Sequence, residues 1–282
     1  METIIFEKDE TVKALTLDEL KKTCSITDAG GKLPQSRPLD HYQFIEEVQE
    51  RLDKANLAYE MDPIWVAKSD SGRIPKLDPE KQGNIESWVF PRLVTRFQLL
   101  FGSNEKYNPA IAIGYNIKGL TLAVGTNTRI CSNQSIFGNS LMQTWGKSGV
   151  AFEKIFNVFN DWLSKYDEKF AKDVKFLDTM EQFQINCSDA QQMIGELHIE
   201  AAKNAYVQQS VEAPFNVSQM TKLSTNLYNK HLSKSDELTL SDFYNVGTDL
   251  LKPKTTDIVD IWANNNMFSD YIVNKFNLHN LN

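Results

Sequence analysis

Aromatic and basic residues alternate along the sequence between residues 85 and 131, where β-forming residues are dense. Proteins that bind single-stranded nucleic acid use this combination, because aromatic rings stack on bases while cations follow the phosphates. Strands more often use aromatic residues to build a core, so an interior with surface charge is the competing interpretation. The candidates for a nucleic-acid-binding surface are Trp88, Phe90, Arg92, Arg96, Phe97, Tyr115, Lys118 and Arg129.

The charge of the chain is unevenly distributed. The net charge of −7 argues against a general nucleic-acid binder, which usually carries a basic surface. Between Glu86 and Lys147, however, six basic and two acidic residues give +4, so the remainder carries −11. This distribution favours a basic segment for DNA and acidic helices for a protein partner.

Familiar catalytic motifs are absent from the sequence. His198 and Glu200 match one half of a zinc-deaminase signature, but the second half, P-C-x-x-C, is missing. The other histidines form no zinc pair, and acidic pairs such as Asp236 with Glu237 are typical of solvated helix faces. No nucleophile elbow, dinucleotide-binding turn or calcium loop occurs. We therefore expect a protein that is not an enzyme and has no metal or cofactor, with an unfamiliar active site as the open alternative.

The three cysteines, Cys24, Cys131 and Cys187, are odd in number and form no C-x-x-C pair. They predict reduced, structural thiols and a cytoplasmic protein. The acidic start of the sequence does not resemble a secretion signal, and no stretch has the length and apolarity of a membrane span. We expect no membrane partner.

The first half of the sequence predicts an antiparallel sheet. Residues 111–117 and 120–126 alternate as strands around a tight turn at Lys118 and Gly119, and further strands are expected between residues 60 and 101. Residues 1–83 otherwise indicate helices broken by loops, including a helix from Asp40 to Leu52.

The second half predicts helices. Apolar residues recur with a period near 3.6 from Phe152 to Phe170, and Ser188, Ser218, Ser241 and Thr256 each mark the start of a further helix. The predicted fold class is α+β, with an antiparallel sheet in the first half packed against a mainly helical second half. We expect one domain over residues 1–282, with a possible subdivision between residues 147 and 148.

Two segments carry a resemblance to a known family. Residues 108–133 (NPAIAIGYNIKGLTLAVGTNTRICSN) and 238–250 (LTLSDFYNVGTDL) resemble, in this order, two motifs of the phage and plasmid proteins of domain of unknown function 932. The shared features are the hairpin, then Cys131, Ser132 and Asn133. Gln134 stands where the family usually has glycine.

The resemblance implies an origin in a phage or mobile element and supplies no catalytic residues. Together with the basic aromatic segment, it leads to the hypothesis of a non-enzymatic accessory protein that binds single-stranded DNA in replication or recombination. The alternative hypothesis is a protein that inhibits a host defence factor, with its acidic helices imitating nucleic acid. Oligomers are compatible with either.

Overall fold

The structure is a computed structural model that describes residues 12–22, 41–67, 92–100, 102, 106–115, 120–128, 136–144, 149–206, 213–251 and 258–278. Its described part confirms the predicted α+β class, with an antiparallel sheet in the first half and mainly helices in the second. Among the described helices, none is both long and apolar enough to cross a membrane.

Within the described residues, seven strands form one antiparallel sheet. Four of them make a continuous meander, in the order β4 (Arg92–Leu99), β5 (Tyr107–Tyr115), β6 (Leu120–Thr128) and β7 (Ile136–Thr144). The predicted hairpin is confirmed as β5 and β6, which pair from Tyr107 with Thr128 to Tyr115 with Leu120.

Three short strands complete the other side of this sheet: β1 (Val12–Leu15), β2 (Tyr59–Met61) and β3 (Ile64–Ala67). Strands β2 and β3 both pair with β4, and β1 pairs with β3 at the edge. Strand β3 and most of β2 lie within residues 60–101, where further strands were expected. The interpretation of residues 1–83 as helices and loops was wrong for β1, which at four residues is too short to show a clear alternation of apolar and polar residues.

Helices cover one face of the sheet. Helix α1 (Leu17–Lys21) follows β1, α2 (His41–Lys54) confirms the helix predicted from residue 40, and α3 (Gly149–Leu163) follows β7. Phe44 of α2 and Phe156 of α3 meet with ring centroids 5.7 Å apart, above Ile111, Ile113 and Leu122 of the sheet. This packing buries the larger apolar side chains of the meander.

The opposite face carries small side chains, including Ala112 and Ala123, which are buried with Val94, Ile136 and Trp262. Trp262 belongs to helix α8 (Ile258–Lys275), which packs against β7, the last strand of the meander. A helix from the end of the described chain thus covers part of this opposite face of the sheet.

The remaining helices enclose a second core. They are α4 (Tyr166–Gln182), α5 (Cys187–Tyr206), α6 (Val217–Leu227), followed by a π-helical turn (Tyr228–Leu232), and α7 (Leu240–Leu250). A two-stranded ribbon of β8 (Gln184–Asn186) and β9 (Glu237–Thr239) joins the starts of α5 and α7. The apolar stripe from Phe152 to Phe170 therefore spans two helices, with a break at Ser164 and Lys165.

Three of these helices begin before the serines that the sequence suggested. The N-caps are Asn186, Asn216 and Thr239, each two residues before the predicted start. In each case the side chain at N3 (Asp189, Gln219 or Asp242) accepts a hydrogen bond from the backbone N–H of the cap. This reciprocal capping box satisfies two backbone donors and fixes the start of the helix.

Candidate nucleic-acid interface and buried polar groups

The strand register brings two of the predicted binding residues to one end of the sheet. Arg92 begins β4 opposite Ala67 of β3, and Tyr115 ends β5 opposite Leu93, the residue after Arg92. The predicted residues Trp88, Phe90, Lys118 and Arg129 lie outside the described residues. Arg129 directly follows Thr128, which is at the other end of the sheet beside Tyr107.

Arg96 and Phe97 are interior residues, which corrects the expectation that they face a nucleic acid. Phe97 is fully buried, with its ring 5.3 Å from that of Tyr59. The side chain of Arg96 is 8% exposed, and its Nε donates to Asp62 Oδ2 over 2.8 Å. No acidic residue lies within three positions of Arg96 in the sequence, and its partner Asp62 lies 34 residues earlier in the chain.

Arg96 belongs to a closed ring of five polar side chains. Its Nη1 donates to Asn127 Oδ1 at 2.8 Å, and Asn127 Nδ2 donates to Asn108 Oδ1 at 3.0 Å. Asn108 Nδ2 then donates to Gln98 Oε1 at 3.1 Å, and Gln98 Nε2 donates to Asp62 Oδ1 at 2.8 Å. We refer to Asp62, Arg96, Asn127, Asn108 and Gln98 as the polar ring.

The polar ring ties together three strands and the junction between β2 and β3, where Asp62 lies. The backbone N–H of Asp62 donates to the carbonyl of Arg96, and the hydroxyl of Thr95 donates to the carbonyl of Asp62. Both oxygens of the buried carboxylate and both atoms of each buried amide are therefore paired, as buried polar groups require. This arrangement gives Arg96 a structural role.

The described centre of the meander offers no open face for stacking bases. Residues 93–97, 107–114 and 120–127 are all buried. In this part of the chain the aromatic residues belong to the core. This agrees with the competing interpretation of the aromatic and basic residues, in which the aromatic side chains build the interior of the sheet. An interface on the sheet therefore has to use residues outside this centre.

Asp173 is a second buried charged group. It lies on α4 facing β6, where Thr126 Oγ1 donates to its Oδ2 at 3.0 Å. Burial raises the pKa of the Asp173 carboxyl to about 7, against the smaller lowering effects of the Thr126 hydrogen bond and of Lys172 and Lys169.

An open groove of about 580 Å³ separates α5 from α8, with Glu200, Met267 and Tyr271 among its lining residues. At its side, Glu196 accepts hydrogen bonds from the Tyr271 hydroxyl at 2.6 Å and from Lys275 Nζ at 2.5 Å. These contacts lower the pKa of Glu196, and burial raises the pKa of Tyr271. A tyrosine with a raised pKa keeps its proton, which argues against a tyrosinate base here.

Metal and deaminase chemistry gain no support from the described residues. No group of three metal-ligating side chains occurs among them, and His198 is exposed on α5. Cys187 is partly buried at the start of α5, where Gln191 Nε2 lies 3.5 Å from its sulfur, whereas Cys24 and Cys131 lie outside the described residues.

Comparison with family models, with curated proteins and with solved structures gives no match to this chain. The resemblance to the domain of unknown function 932 family stays a prediction, carried by residues 108–133 and 238–250.

Proposed function

We propose that this chain is a non-enzymatic accessory protein of a phage or mobile element, which binds single-stranded DNA during replication or recombination in the host cytoplasm. The proposed interface is the end of the sheet where β4 begins and β5 ends. The observation that carries this proposal is the position of Arg92 and Tyr115 on neighbouring strands at that end. One is a cation suited to phosphates, and the other is an aromatic ring suited to bases.

The chain supplies further residues of the same kind close to these two in sequence. Trp88 and Phe90 precede Arg92 by four and two residues, and Lys118 is two residues from Leu120, the Cα partner of Tyr115. Because Leu93 rather than Arg92 pairs with Tyr115, the proposed surface is the end of the sheet and not one of its faces.

Fluorescence anisotropy with a labelled oligothymidylate tests this proposal. We expect binding that weakens steeply with salt, because each phosphate contact releases counterions. Replacing Arg92 and Tyr115 together by alanine should weaken binding at least tenfold and flatten the salt slope by roughly 0.7 for the lost phosphate contact.

Lys203 and Tyr206 provide a matched control, since both are exposed near the end of α5, far along the chain from the meander. Replacing this cation and this tyrosine by alanine should leave DNA affinity and salt slope unchanged. The melting temperature of each variant shows whether a loss of binding reflects a loss of fold. Absence of binding at low salt would refute the proposed function.

A protein partner is the second candidate function, favoured by exposed apolar residues on α5. Ile199 and Tyr206 are 58% and 75% exposed and lie seven residues apart, which is two helical turns on one side of the helix. Replacing both by serine should disrupt binding to a protein partner and preserve DNA binding. Retained binding of the protein partner with loss of DNA binding would exclude this surface as the site for a protein partner.

A further inference from the structure

Asp173 lies at the contact between the helical half and the sheet. Helix α4 packs against β5 and β6 of the sheet and against α7 and β9 of the second core. The side chains around Asp173 on its own helix, Leu177 and Met180, belong to this second core. A change of charge at Asp173 therefore affects the packing between the sheet and the helices of the second core.

The surroundings of Asp173 do little to compensate a negative charge. An ionised carboxylate has about four acceptor positions, and among the described residues Thr126 is the one donor to Asp173. No lysine or arginine of the described chain lies within ion-pair distance of it. Lys169 and Lys172 of α4 act on it only through space, and Lys172 Nζ is 5.6 Å from the centroid of the Phe176 ring.

The elements packed against α4 carry other titratable side chains. These side chains either form hydrogen bonds with residues other than Asp173 or are exposed to solvent. Tyr107 of β5 donates to Asp178 at 3.3 Å and to Glu181 at 3.0 Å. The Tyr244 hydroxyl of α7 lies 3.3 Å from Ser269 Oγ, and the Asp242 carboxylate accepts from the backbone N–H of Thr239. Asp249 accepts from Lys230, and Glu237 of β9 is exposed. The charge on Asp173 is therefore governed mainly by its own burial.

We propose that the contact between Asp173 and Thr126 is a pH-sensitive latch, which holds α4 on the sheet while Asp173 is protonated and loosens when it ionises. The protonated carboxyl of Asp173 has an O–H group that can donate a hydrogen bond, and it places no charge in the interior. The ionised carboxylate keeps the single hydrogen bond from Thr126 but has lost the water that would solvate its charge, so its burial against β6 is unfavourable.

The direction of the pH effect follows from linkage. The pKa of Asp173 is about 7 in the folded chain, and an unfolded aspartate has a pKa of about 3.9. The folded state thus binds the proton more tightly, and the stability gained from this proton is lost as the pH rises from about 4 to about 7. Within that window the unfolding equilibrium constant should rise by up to about tenfold per pH unit from this group.

Urea unfolding of the full chain between pH 5 and pH 8 tests the latch. Asp173→Asn imitates the protonated carboxyl, so this variant should be more stable than the wild type at pH 8. Between pH 5 and pH 7 its unfolding equilibrium constant should rise less steeply with pH than that of the wild type. Glu168→Gln, at an exposed position in the first turn of the same helix, should keep the wild-type profile. Parallel profiles for the wild type and Asp173→Asn would overturn the proposal.

Two measurements on the wild type keep the proposal testable if the variant does not fold. The ¹³C resonance of the Asp173 carboxyl should titrate near pH 7, and a midpoint below pH 5 would overturn the latch. Hydrogen exchange of α4 amides, corrected for intrinsic rates, should accelerate between pH 6 and pH 8 relative to α2. Equal acceleration of amide exchange in α4 and α2 would show that the whole fold is destabilised and would overturn the local release of α4.

Discussion

Gly247 of α7 lies directly against the ring of Phe268 of α8. A Cβ atom added at Gly247 would be 2.6 Å from Cζ of Phe268 and closer still to Cε1. Phe268 is fully buried and also stacks on Tyr244, with ring centroids 5.7 Å apart. The absence of a side chain at position 247 therefore allows α7 and α8 to approach.

Gly247→Ala should destabilise the chain, because the buried ring of Phe268 has to move or the helices have to separate. We expect a loss of about 1–3 kcal/mol in the free energy of unfolding, as for other overpacked cores. Gly195 of α5 is the matched control, since an added Cβ there meets no atom within 4 Å. Gly195→Ala should stabilise the helix by about 0.5–1 kcal/mol. Urea unfolding measures both, and equal effects of one sign would contradict the packing argument.

Asn265 of α8 should be replaceable by an apolar residue. Its side chain is fully buried, and neither its Oδ1 nor its Nδ2 has a hydrogen-bond partner in the described part of the chain. A buried unpaired polar group costs about 1–3 kcal/mol, so Asn265→Leu should raise the free energy of unfolding.

Asn266, the next residue, is partly exposed, and Asn266→Leu is the control with the same chemical change. It should have little effect on stability. A large loss on Asn265→Leu would indicate that the amide binds a group inside the protein.

The polar ring predicts strong coupling between its members. Asp62→Ala removes the acceptor of both Arg96 and Gln98 and leaves a buried guanidinium without its partner, which typically costs about 3–5 kcal/mol. Adding Arg96→Met to this variant should recover part of the loss, because the unpaired charge is removed as well. Denaturant unfolding of the four variants in a double-mutant cycle measures the coupling.

The exposed pair of Lys165 with Asp161 is the comparison for this cycle. Asp161→Ala should hardly change stability, because solvent screens this ion pair. Additive effects of the Asp62 and Arg96 substitutions would argue against the ring as a unit.

Glu196 should contribute to stability at neutral pH and lose this contribution in acid. The hydrogen bond from Lys275, followed by that from Tyr271, lowers its pKa in the folded chain. The contribution is present above the pKa of an unfolded glutamate and is lost as the pH falls through the lowered value. Glu196→Gln should therefore melt lower than the wild type at pH 7 and approach it near pH 3. Glu200→Gln, on the same groove, should melt like the wild type at both values.

The parts of the fold that the sequence predicted have strong local patterns. The hairpin of β5 and β6 alternates around a short turn, and α3 and the start of α4 carry the helical repeat of apolar residues from Phe152 to Phe170. Helix starts were misplaced by two residues, since serine at N2 has the same cap-forming chemistry as the true caps Asn186, Asn216 and Thr239. Strand β7 was missed because its sequence, IFGNSLMQT, contains glycine, asparagine and serine where a strand usually has β-branched residues.

The polar ring and the latch could not be predicted from local patterns. The hydrogen-bonded partners in the ring are 10 to 36 residues apart along the chain, and Thr126 and Asp173 are 47 residues apart. The pairing of β4 with β5 and of β5 with β6, together with the packing of α4 on β6, brings these groups together. Single asparagines or aspartates in an apolar segment could have suggested buried polar groups, but not their partners.

The packing of α8 on β7 has a consequence for synthesis of the chain on the ribosome. Strand β7 ends at Thr144 and α8 begins at Ile258, which is 114 residues later. At translation rates of about 5–20 residues per second, roughly 6–23 s pass between synthesis of β7 and synthesis of α8. During this interval the sheet face that carries Ala112 and Ala123 lacks its covering helix. An exposed apolar surface of this kind can associate with other chains. The nascent chain therefore has its greatest tendency to associate wrongly in the interval before α8 emerges, and ribosome-associated chaperones would be most useful then.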